Sequence, residues 1–189
     1  MVKKEKKKIT TKSIVMTGMF AAVLAVLSQI AIPMPSGVPV TLQTFAVALT
    51  GFVLGMKLGT AATAVYVMIG AVGAPVFAGF SGGLGILLGK TGGFIFGFLF
   101  MAPLCGLGVK KKNLFRTVLM PAAGLVICHL LGILQFSFLA QLGFAESALM
   151  VSVPYLIKDV VSVVMAYAAA AALRRGLRAA NISITEAGA

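Results

Sequence analysis

The charged residues of this chain are confined to short clusters, and the apolar segments between them are long enough to cross a lipid bilayer. The first apolar segment, Ile14–Ile32, contains 19 residues. About 20 consecutive apolar residues span the hydrocarbon core as an α-helix. Only 11% of the 189 residues are charged, and the mean hydropathy is +1.07, whereas about a quarter of a soluble domain is charged. The sequence therefore predicts an all-α integral membrane protein.

Hydropathy and loop-forming residues predict a bundle of six transmembrane helices. The membrane domain covers residues 13–178, between a basic N-terminal segment (1–12) and a C-terminal tail (179–189). The spans are Ile14–Ile32, Leu42–Met56, Leu58–Val72, Gly92–Val109, Thr117–Leu142 and Pro154–Leu173. Because the basic start is followed by an apolar run longer than a signal core, we expect a retained first helix.

The second and third predicted spans are short, at 15 residues each. As helices they would extend over about 23 Å, less than the roughly 30 Å hydrocarbon core. The connections PMPSGVPVTLQ and APVFAGFSGGLGILLGKTGG would then lie partly at membrane depth. Irregular backbone is stable there only when protein covers it or when it lines a cavity. This arrangement predicts a ligand pocket near the outer face.

The basic residues predict the orientation of the chain. If both termini are cytoplasmic, 14 of the 16 basic residues lie in cytoplasmic segments, and only Lys90 and Lys158 do not. This is the distribution that the positive-inside rule requires of an even number of spans in a multi-pass protein of the cell membrane. The net charge of +12 is therefore attributed to orientation and to contact with anionic lipid. The basic runs contain no interleaved aromatic residues, so we expect no nucleic-acid partner.

The stretch GGLGILLGKT (82–91) is similar to a phosphate-binding loop but does not match it. That motif requires a glycine five residues before Gly89, and the chain has Leu84 there. The loop also lies on the predicted outer side. Seven glycines stand between Gly79 and Gly93, with Phe77 and Phe80 beside the first of them. Either they form a flexible loop and pack helices, or they form a gate and a pocket wall.

Catalytic and metal-binding patterns are not evident in the sequence. Cys105, Cys128 and His129 are too few for a disulfide framework or a metal site. Cys128 and His129 are adjacent, and adjacent helical residues point about 100° apart, so they form no dyad. We expect both cysteines to be packing residues, and the chain to be neither an enzyme nor the carrier of a metal or cofactor.

Asp159 is an acidic residue within the sixth predicted transmembrane helix, where a charge is unfavourable. A carboxylate in a transmembrane helix costs at least ~2.5–3.5 kcal/mol unless it is paired. It should face the bundle interior together with Ser162, one turn later. Lys158 is adjacent, so it should point elsewhere or extend to the outer surface. Asp159 either pairs with Lys90 or lies favourably near a helix N-terminus, or it accepts hydrogen bonds from a ligand.

Two further polar residues extend the ligand interpretation. Lys90 is suited to an anionic group, and Gln43 in PVTLQTF offers both a donor and an acceptor. With Asp159 they predict a site for a small molecule that has an amide-like end and an acid end. Glu146, in the stretch GFAES, is expected to be solvated.

Three stretches, PVTLQTFAVALTGFVLG (39–55), YVMIGAVGAPVFAGFSGGLGILLGKTGGFIFGF (66–98) and PYLIKD (154–159), resemble the BioY family. Its members are the biotin-specific substrate-binding components (S-components) of energy-coupling factor (ECF) transporters. The resemblance extends from Lys12 to Arg178. The combination of VPVTLQT, PVFAGF and TGGF at these spacings is specific.

The resemblance implies a six-helix protein that binds biotin with high affinity near the outer face, as its transported ligand. Transport would be powered by a transmembrane coupling protein and two cytoplasmic ATPases. The candidate ligand-binding residues are Asp159, Lys90, Gln43, Lys158, Phe80, Gly79, Thr91 and Tyr155. Many relatives read P-x-x-P-G-D-x-x-K in the last helix, whereas this chain has Lys158 at that glycine and Ser162 at that lysine. Many also have proline at position 90, so Lys90 and Lys158 both remain candidates for the basic partner of the carboxylate.

Small residues on the first helix suggest a docking face. Gly18 and Ala22 are four residues apart, as are Ala21 and Ala25, so each pair shares a face and allows close approach of another helix. Packing within the bundle is the alternative. The resemblance favours Ala21 and Ala25 as contacts with the coupling protein.

Other functions fit the sequence less well. A self-sufficient, proton-driven secondary transporter of a small anionic solute would need a relay of buried acids, and the predicted membrane domain offers only Asp159. A scaffold protein would not need a buried carboxylate beside glycine-rich outer loops.

Overall fold

The computed structural model describes residues 10–109 and 113–180 and is built almost entirely of helices. Residues 1–9, 110–112 and 181–189 lie outside the described part, and with them most of the basic N-terminal segment, Lys110–Lys112 and most of the C-terminal tail. The helices are α1 (Thr11–Ser28), α2 (Gln43–Ala71), α3 (Leu84–Leu87), α4 (Gly92–Gly108), α5 (Leu114–Ala140), α6 (Phe144–Val151) and α7 (Val153–Ala179).

Four of these helices, α1, α2, α5 and α7, are long and apolar enough to cross a membrane, and α4 is a shorter apolar helix. In the centre, α4 packs against α5 and α2, while α1 and α7 pack on α2. The helices approach closely because glycines face their neighbours. A Cβ at Gly97 of α4 would lie 2.6 Å from the Cα of Cys128 on α5. The glycine content of α4 therefore serves helix packing.

Helix α2 is broken at Gly55, where the backbone has φ 78° and ψ −178°. That region is accessible almost only to glycine. The chain reverses there: a Cβ at Gly59 would lie 3.0 Å from the Cα of Gly51, although eight residues of a straight helix span about 12 Å. The first half of α2 (43–54) and the second half (56–71) therefore lie side by side.

The two halves of α2 correspond to the second and third predicted spans, but the predicted boundary at Lys57 was wrong. The break lies at Gly55, because only glycine adopts the required backbone angles, and Lys57 lies in the first turn of the second half. The first predicted span also extended too far. Helix α1 ends at Ser28, and Ala31–Ile32 (β1) pairs with Val40–Thr41 (β2) in a short antiparallel ribbon.

Two predicted loop regions contain helices. The glycine-rich segment (72–91) includes a 3₁₀ turn, Ala78–Phe80, and the short helix α3. The stretch GFAES opens helix α6, and Glu146 is exposed in its first turn. Both regions connect the longer helices at the end of the bundle where β1 and β2 lie.

The small residues of α1 do not all face outward. Ala21 is buried with Leu24 in the main core, and Ala25 is half-buried. Gly18 and Ala22 are exposed, and a Cβ at Gly18 would have no neighbour within 4 Å. Ala21 was expected to contact the coupling protein. In this structure it packs within the bundle instead, because this side of α1 faces the core.

Candidate ligand site

A cavity of about 500 Å³ lies between the β1–β2 ribbon, the glycine-rich segment and the N-terminal part of α7. Its volume is within the range typical of sites for small ligands. The first turn of α2 and the interior faces of α4 and α5 complete its wall. Apolar side chains, among them Phe77, Phe94 and Phe98, form much of the lining. The cavity therefore combines apolar walls with the polar groups described below.

Asp159 lies in the wall of this cavity and is only 5% exposed. Its Oδ2 is 3.2 Å from Nε2 of His129 on α5, and its Oδ1 forms an ion pair with Nζ of Lys158. Among the described residues, Oδ1 is buried without a hydrogen bond of good geometry. The carboxylate therefore lies at the cavity wall with Oδ2 held by a ring N–H and Oδ1 paired with an ammonium.

Lys158 does not point away from Asp159, so that prediction was wrong. Its Nζ contacts the carboxylate and donates a hydrogen bond to the carbonyl of Thr41 in β2 at 3.0 Å. The four-carbon side chain is long enough to curl back at the start of α7, although the two Cα–Cβ bonds diverge. Lys158 thereby joins the ribbon to α7 and is the basic partner of the carboxylate in this structure.

Lys90 lines the cavity but is exposed and does not pair with Asp159. Its Nζ lies 5.9 Å from the ring centroid of Phe136, and its side chain passes near Gly37 of the ribbon loop. Thr91 also lines the cavity, directly before α4. A cation at the exposed side of the cavity, apart from the buried carboxylate, can receive an anionic group.

Gln43 and Tyr155 both line the cavity and are fixed by hydrogen bonds. Gln43 Nε2 donates to the hydroxyl of Tyr66 at 2.8 Å, and its Oε1 accepts from Thr41 at 3.1 Å. Tyr155 donates to the carbonyl of Val38 at 2.6 Å. Tyr155 therefore ties α7 to the loop between β1 and β2, and Gln43 presents a side chain whose orientation is set.

Gly79 and Phe80 lie outside the cavity wall, which corrects the prediction for both. Phe80 is 73% exposed, whereas Phe77 is 1% exposed and contributes its ring to the wall. The backbone explains the exchange: the N–H of Phe77 donates to Ser81 O at 2.9 Å, and that of Phe80 donates to Gln29 Oε1 at 2.8 Å. The tight turn that these bonds close directs Phe80 away from the cavity.

His129 is the residue of the site that the sequence analysis missed. It lines the cavity between Asp159 and the ring of Phe94, and its Nδ1 is 2.9 Å from the hydroxyl of Ser152. A single histidine in an otherwise apolar helix was the available signal, since a buried imidazole requires polar partners. Cys105 and Cys128 are buried, as expected of packing residues.

Two polar side chains attach the glycine-rich segment to neighbouring helices. Gln29, at the end of α1, donates to the carbonyl of Val76 at 3.2 Å. Gln135 of α5 donates to the carbonyls of Leu87 and Gly89, both at 2.8 Å. These bonds satisfy backbone oxygens that no regular structure would otherwise pair. The segment therefore covers the cavity in a defined conformation.

The polar groups of the site suit binding of a small molecule. Within residues 10–109 and 113–180, no three of the His, Cys, Asp and Glu side chains lie close enough to hold a metal ion. Apolar helices around a cavity with a buried carboxylate and an exposed ammonium are the arrangement expected of a membrane protein for small, polar-ended solutes. The sequence pattern of the BioY family matches residues 3–179. The chain therefore belongs to the BioY family.

Individual relatives agree with this membership. The chain is 39% identical over 165 residues to the biotin transporter BioY of Thermotoga maritima, covering 87% of this chain and 96% of that protein. It is 32% identical over 172 residues to the biotin transporter BioY2 of Lactococcus lactis subsp. cremoris, covering 89% and 93%. With the apolar helices described above, these relatives identify the chain as a multi-pass membrane protein, as expected.

A solved structure has the same fold. The crystal structure of the S-component for biotin from an ECF-type ABC transporter superposes with a TM-score of 0.79 at 23% identity. The match covers 89% of this chain and 95% of the other. The arrangement of helices described above is therefore shared with that protein.

Proposed function

We propose that this protein is the substrate-binding component of an ECF-type uptake transporter and that it binds biotin with high affinity. The observation that carries the proposal is the buried Asp159 in the wall of a cavity of about 500 Å³, in a chain of the BioY family. The relatives named above as biotin transporters support the choice of ligand and a function in transport instead of catalysis.

The chemistry of biotin is complementary to the polar groups of the cavity. Its ureido ring carries two N–H donors, which suit a carboxylate acceptor such as Asp159. Its valerate carboxylate suits the ammonium of Lys90, which lies on the exposed side of the cavity. The bicyclic ring would lie against Phe77 and Phe94, and Gln43, Thr91 and Tyr155 contribute polar contacts. Lys158 would keep the buried carboxylate ionised.

We further propose six membrane crossings with both termini in the cytoplasm. The two halves of α2, together with α1, α4, α5 and α7, supply six apolar segments. Arg174, Arg175 and Arg178 lie in the last turns of α7, whereas Asp159 and the cavity lie near its start. By the positive-inside rule the arginine end is cytoplasmic, so the cavity lies toward the outer face.

Binding specificity provides the direct test of this function. We expect purified protein in detergent to bind biotin in a calorimetric titration and not to bind thiamine or riboflavin, because neither of these has both a cyclic urea and an aliphatic acid. Binding of another vitamin in preference to biotin would contradict the proposed ligand. Biotin accumulation by the chain alone in proton-driven vesicles would favour a secondary transporter, against which the single buried acid among the described residues argues.

Transport by such a protein requires a transmembrane coupling protein and two cytoplasmic ATPases. We propose that α1 docks on the coupling protein through Gly18 and Ala22, which are exposed, four residues apart and small. Small residues allow close backbone approach between membrane helices. Ala25 lies on the edge of this face, and Ala21 supports it from within the bundle.

We expect Ala22→Trp to leave biotin affinity within twofold of the wild type and to abolish co-purification with the coupling protein and its ATPases. The indole would occupy the space that the partner helix needs, and Ala22 does not line the cavity, because it lies six residues, about 9 Å of helix, before the end of α1. Val164→Trp is the matched control, since Val164 is exposed on α7. Co-purification of Ala22→Trp at the level of Val164→Trp would exclude this docking face.

A further inference from the structure

Three buried polar side chains are linked by successive contacts that end at the carboxylate in the cavity wall. The contacts begin at Ser152, between α6 and α7, continue through His129 on α5 and end at Asp159 on α7. The hydroxyl of Ser152 is 2.9 Å from Nδ1 of His129, and Nε2 is 3.2 Å from Oδ2 of Asp159. All three residues are about 5% exposed. These contacts link the α6–α7 junction, through α5, to Oδ2 of Asp159 on α7.

The carboxylate determines which nitrogen of His129 carries a proton. An ionised carboxylate only accepts hydrogen bonds, so Nε2 must donate whether the imidazole is neutral or charged. In the neutral ring Nδ1 is then an acceptor, and the hydroxyl of Ser152 rotates to donate to it. The same contacts hold in both protonation states with only the hydroxyl turning.

The three groups are also found in hydrolases, but their order here does not suit acyl transfer. A nucleophilic serine must face the substrate. In this protein Asp159 and His129 line the cavity, whereas Ser152 does not. The hydroxyl lies at the end of this series of contacts that is farthest from the ligand. Its position is that of a supporting group for the imidazole.

We propose that His129 is a positioning residue, which holds Oδ2 of Asp159 and so fixes the orientation of the carboxylate at the wall of the proposed ligand site, and that Ser152 fixes His129 for this role. The inference rests on the proposed function and extends it to residues that do not bind the ligand's N–H themselves. Oδ1 is buried and pairs with the ammonium of Lys158. Each carboxylate oxygen has two lone pairs, so a carboxylate held by His129 and Lys158 can still accept from a ligand N–H.

Lys158 and His129 affect the carboxylate of Asp159 in different ways, one through charge and the other through orientation. Lys158 stabilises the ionised carboxylate, but its flexible side chain is partly exposed and does not define a carboxylate plane. The imidazole is rigid and is packed edge-to-face with Phe94 at 5.9 Å between centroids. Orientation of the acceptor oxygen is therefore the part of the site that depends on His129.

Replacement of His129 by residues with and without a donor tests the inference. We expect His129→Leu to weaken biotin binding at least tenfold in calorimetric titrations, because the carboxylate is free to rotate. His129→Gln places an amide N–H near the position of Nε2 and is expected to restore affinity to within about threefold of the wild type. Equal affinities of the leucine and glutamine variants, high or low, would overturn the inference.

Ser152 provides a second test that survives a folding defect in His129→Leu. We expect Ser152→Ala to weaken biotin binding about three- to fivefold and Ser152→Thr, which keeps the hydroxyl, to weaken it by less than twofold. The matched control is Ser147→Ala, another buried serine, whose hydroxyl makes no hydrogen bond in the described residues. Wild-type affinity of Ser152→Ala would contradict the inference.

A double-variant comparison shows whether Ser152 acts through the imidazole. Adding Ser152→Ala to His129→Gln is expected to change biotin affinity by less than twofold. The glutamine side chain has no acceptor at the position of Nδ1, so Ser152 has no partner to lose there. A further three- to fivefold loss of biotin affinity would mean that Ser152 does not act through His129, and it would overturn that part of the inference. If the wild type does not bind biotin, the proposed function is wrong. If the wild type binds biotin and the variants bind it with the same affinity, the proposed function stands and only the inference about His129 and Ser152 is wrong.

Discussion

Asp159→Asn is expected to weaken biotin binding by tenfold or more and to leave the protein folded. Hydrogen bonds to a charged group contribute about 1.5–3 kcal/mol, and a tenfold change in affinity corresponds to about 1.4 kcal/mol. The asparagine side chain keeps the volume of the carboxylate. Its carbonyl can still accept from Nε2 of His129, so the contact between α5 and α7 is retained.

The loss arises on the side that faces the cavity. With its carbonyl turned to His129, the asparagine directs its NH₂ group toward the ammonium of Lys158 and toward any ligand N–H, so donors would oppose donors. Lys158 would also lose its counter-ion. A cavity that recognises an N–H donor is thus converted into one that repels it.

Calorimetric titration with biotin measures this effect, and Glu146→Gln is the matched control. Glu146 is exposed in the first turn of α6 and does not line the cavity, so the same loss of one negative charge there should leave affinity unchanged. Unaltered binding by Asp159→Asn would remove Asp159 from the ligand site. A loss of equal size in both variants would point to a general effect of net charge.

The sequence predicted much of the helical architecture, because it depends on backbone hydrogen bonding and on burial. Each apolar run has to form helix wherever lipid replaces water, so α4 and α5 lie within three residues of their predicted bounds. Helix α7 begins within one residue of its predicted start and extends six residues beyond its predicted end. The cost of an unpaired charge in a helix interior likewise predicted that Asp159 faces inward. Neither feature depends on which helices are neighbours.

Contacts between distant segments could not be predicted in this way. Phe77 and Phe80 are the same residue type three positions apart, so the sequence alone does not distinguish them. The turn closed by Ser81 and Gln29 determines which ring lines the cavity. His129 gained its role from Ser152 and Asp159, 23 and 30 positions further along the chain. The sequence showed that one buried acid needed partners, and the packing of α5 against the α6–α7 junction supplied them.

The second large effect is expected at the break in α2. Gly55→Val should destabilise the protein strongly, because the required backbone angles, φ 78° and ψ −178°, are almost closed to residues with a Cβ. Such a conformation costs of order 1–3 kcal/mol, and β-branching adds to the strain. Space is not the cause, since a Cβ at Gly55 would meet no atom within 4 Å.

The break is also a junction for other helices. A Cβ at Gly106 of α4 would collide with the backbone of Met56, which cannot move aside as a side chain can. The guanidinium of Arg174 on α7 donates to the carbonyl of Val53 at 3.1 Å and 3.3 Å from its two nitrogens. An altered turn at Gly55 would therefore disturb the packing of α4 and α7 as well as α2.

The two buried, free cysteines allow a sensitive measurement of this loss. Cys105 and Cys128 become reactive only when the bundle opens, so a thiol-reactive dye reports the temperature at which the purified protein unfolds in detergent. We expect Gly55→Val and Gly106→Val to unfold at markedly lower temperatures than the wild type. Gly176→Ala is the control: it is an exposed helical glycine with open space around it, and alanine should stabilise the helix by about 0.5–1 kcal/mol. If Gly55→Val unfolds together with Gly176→Ala, residue 55 tolerates a side chain and α2 does not reverse there.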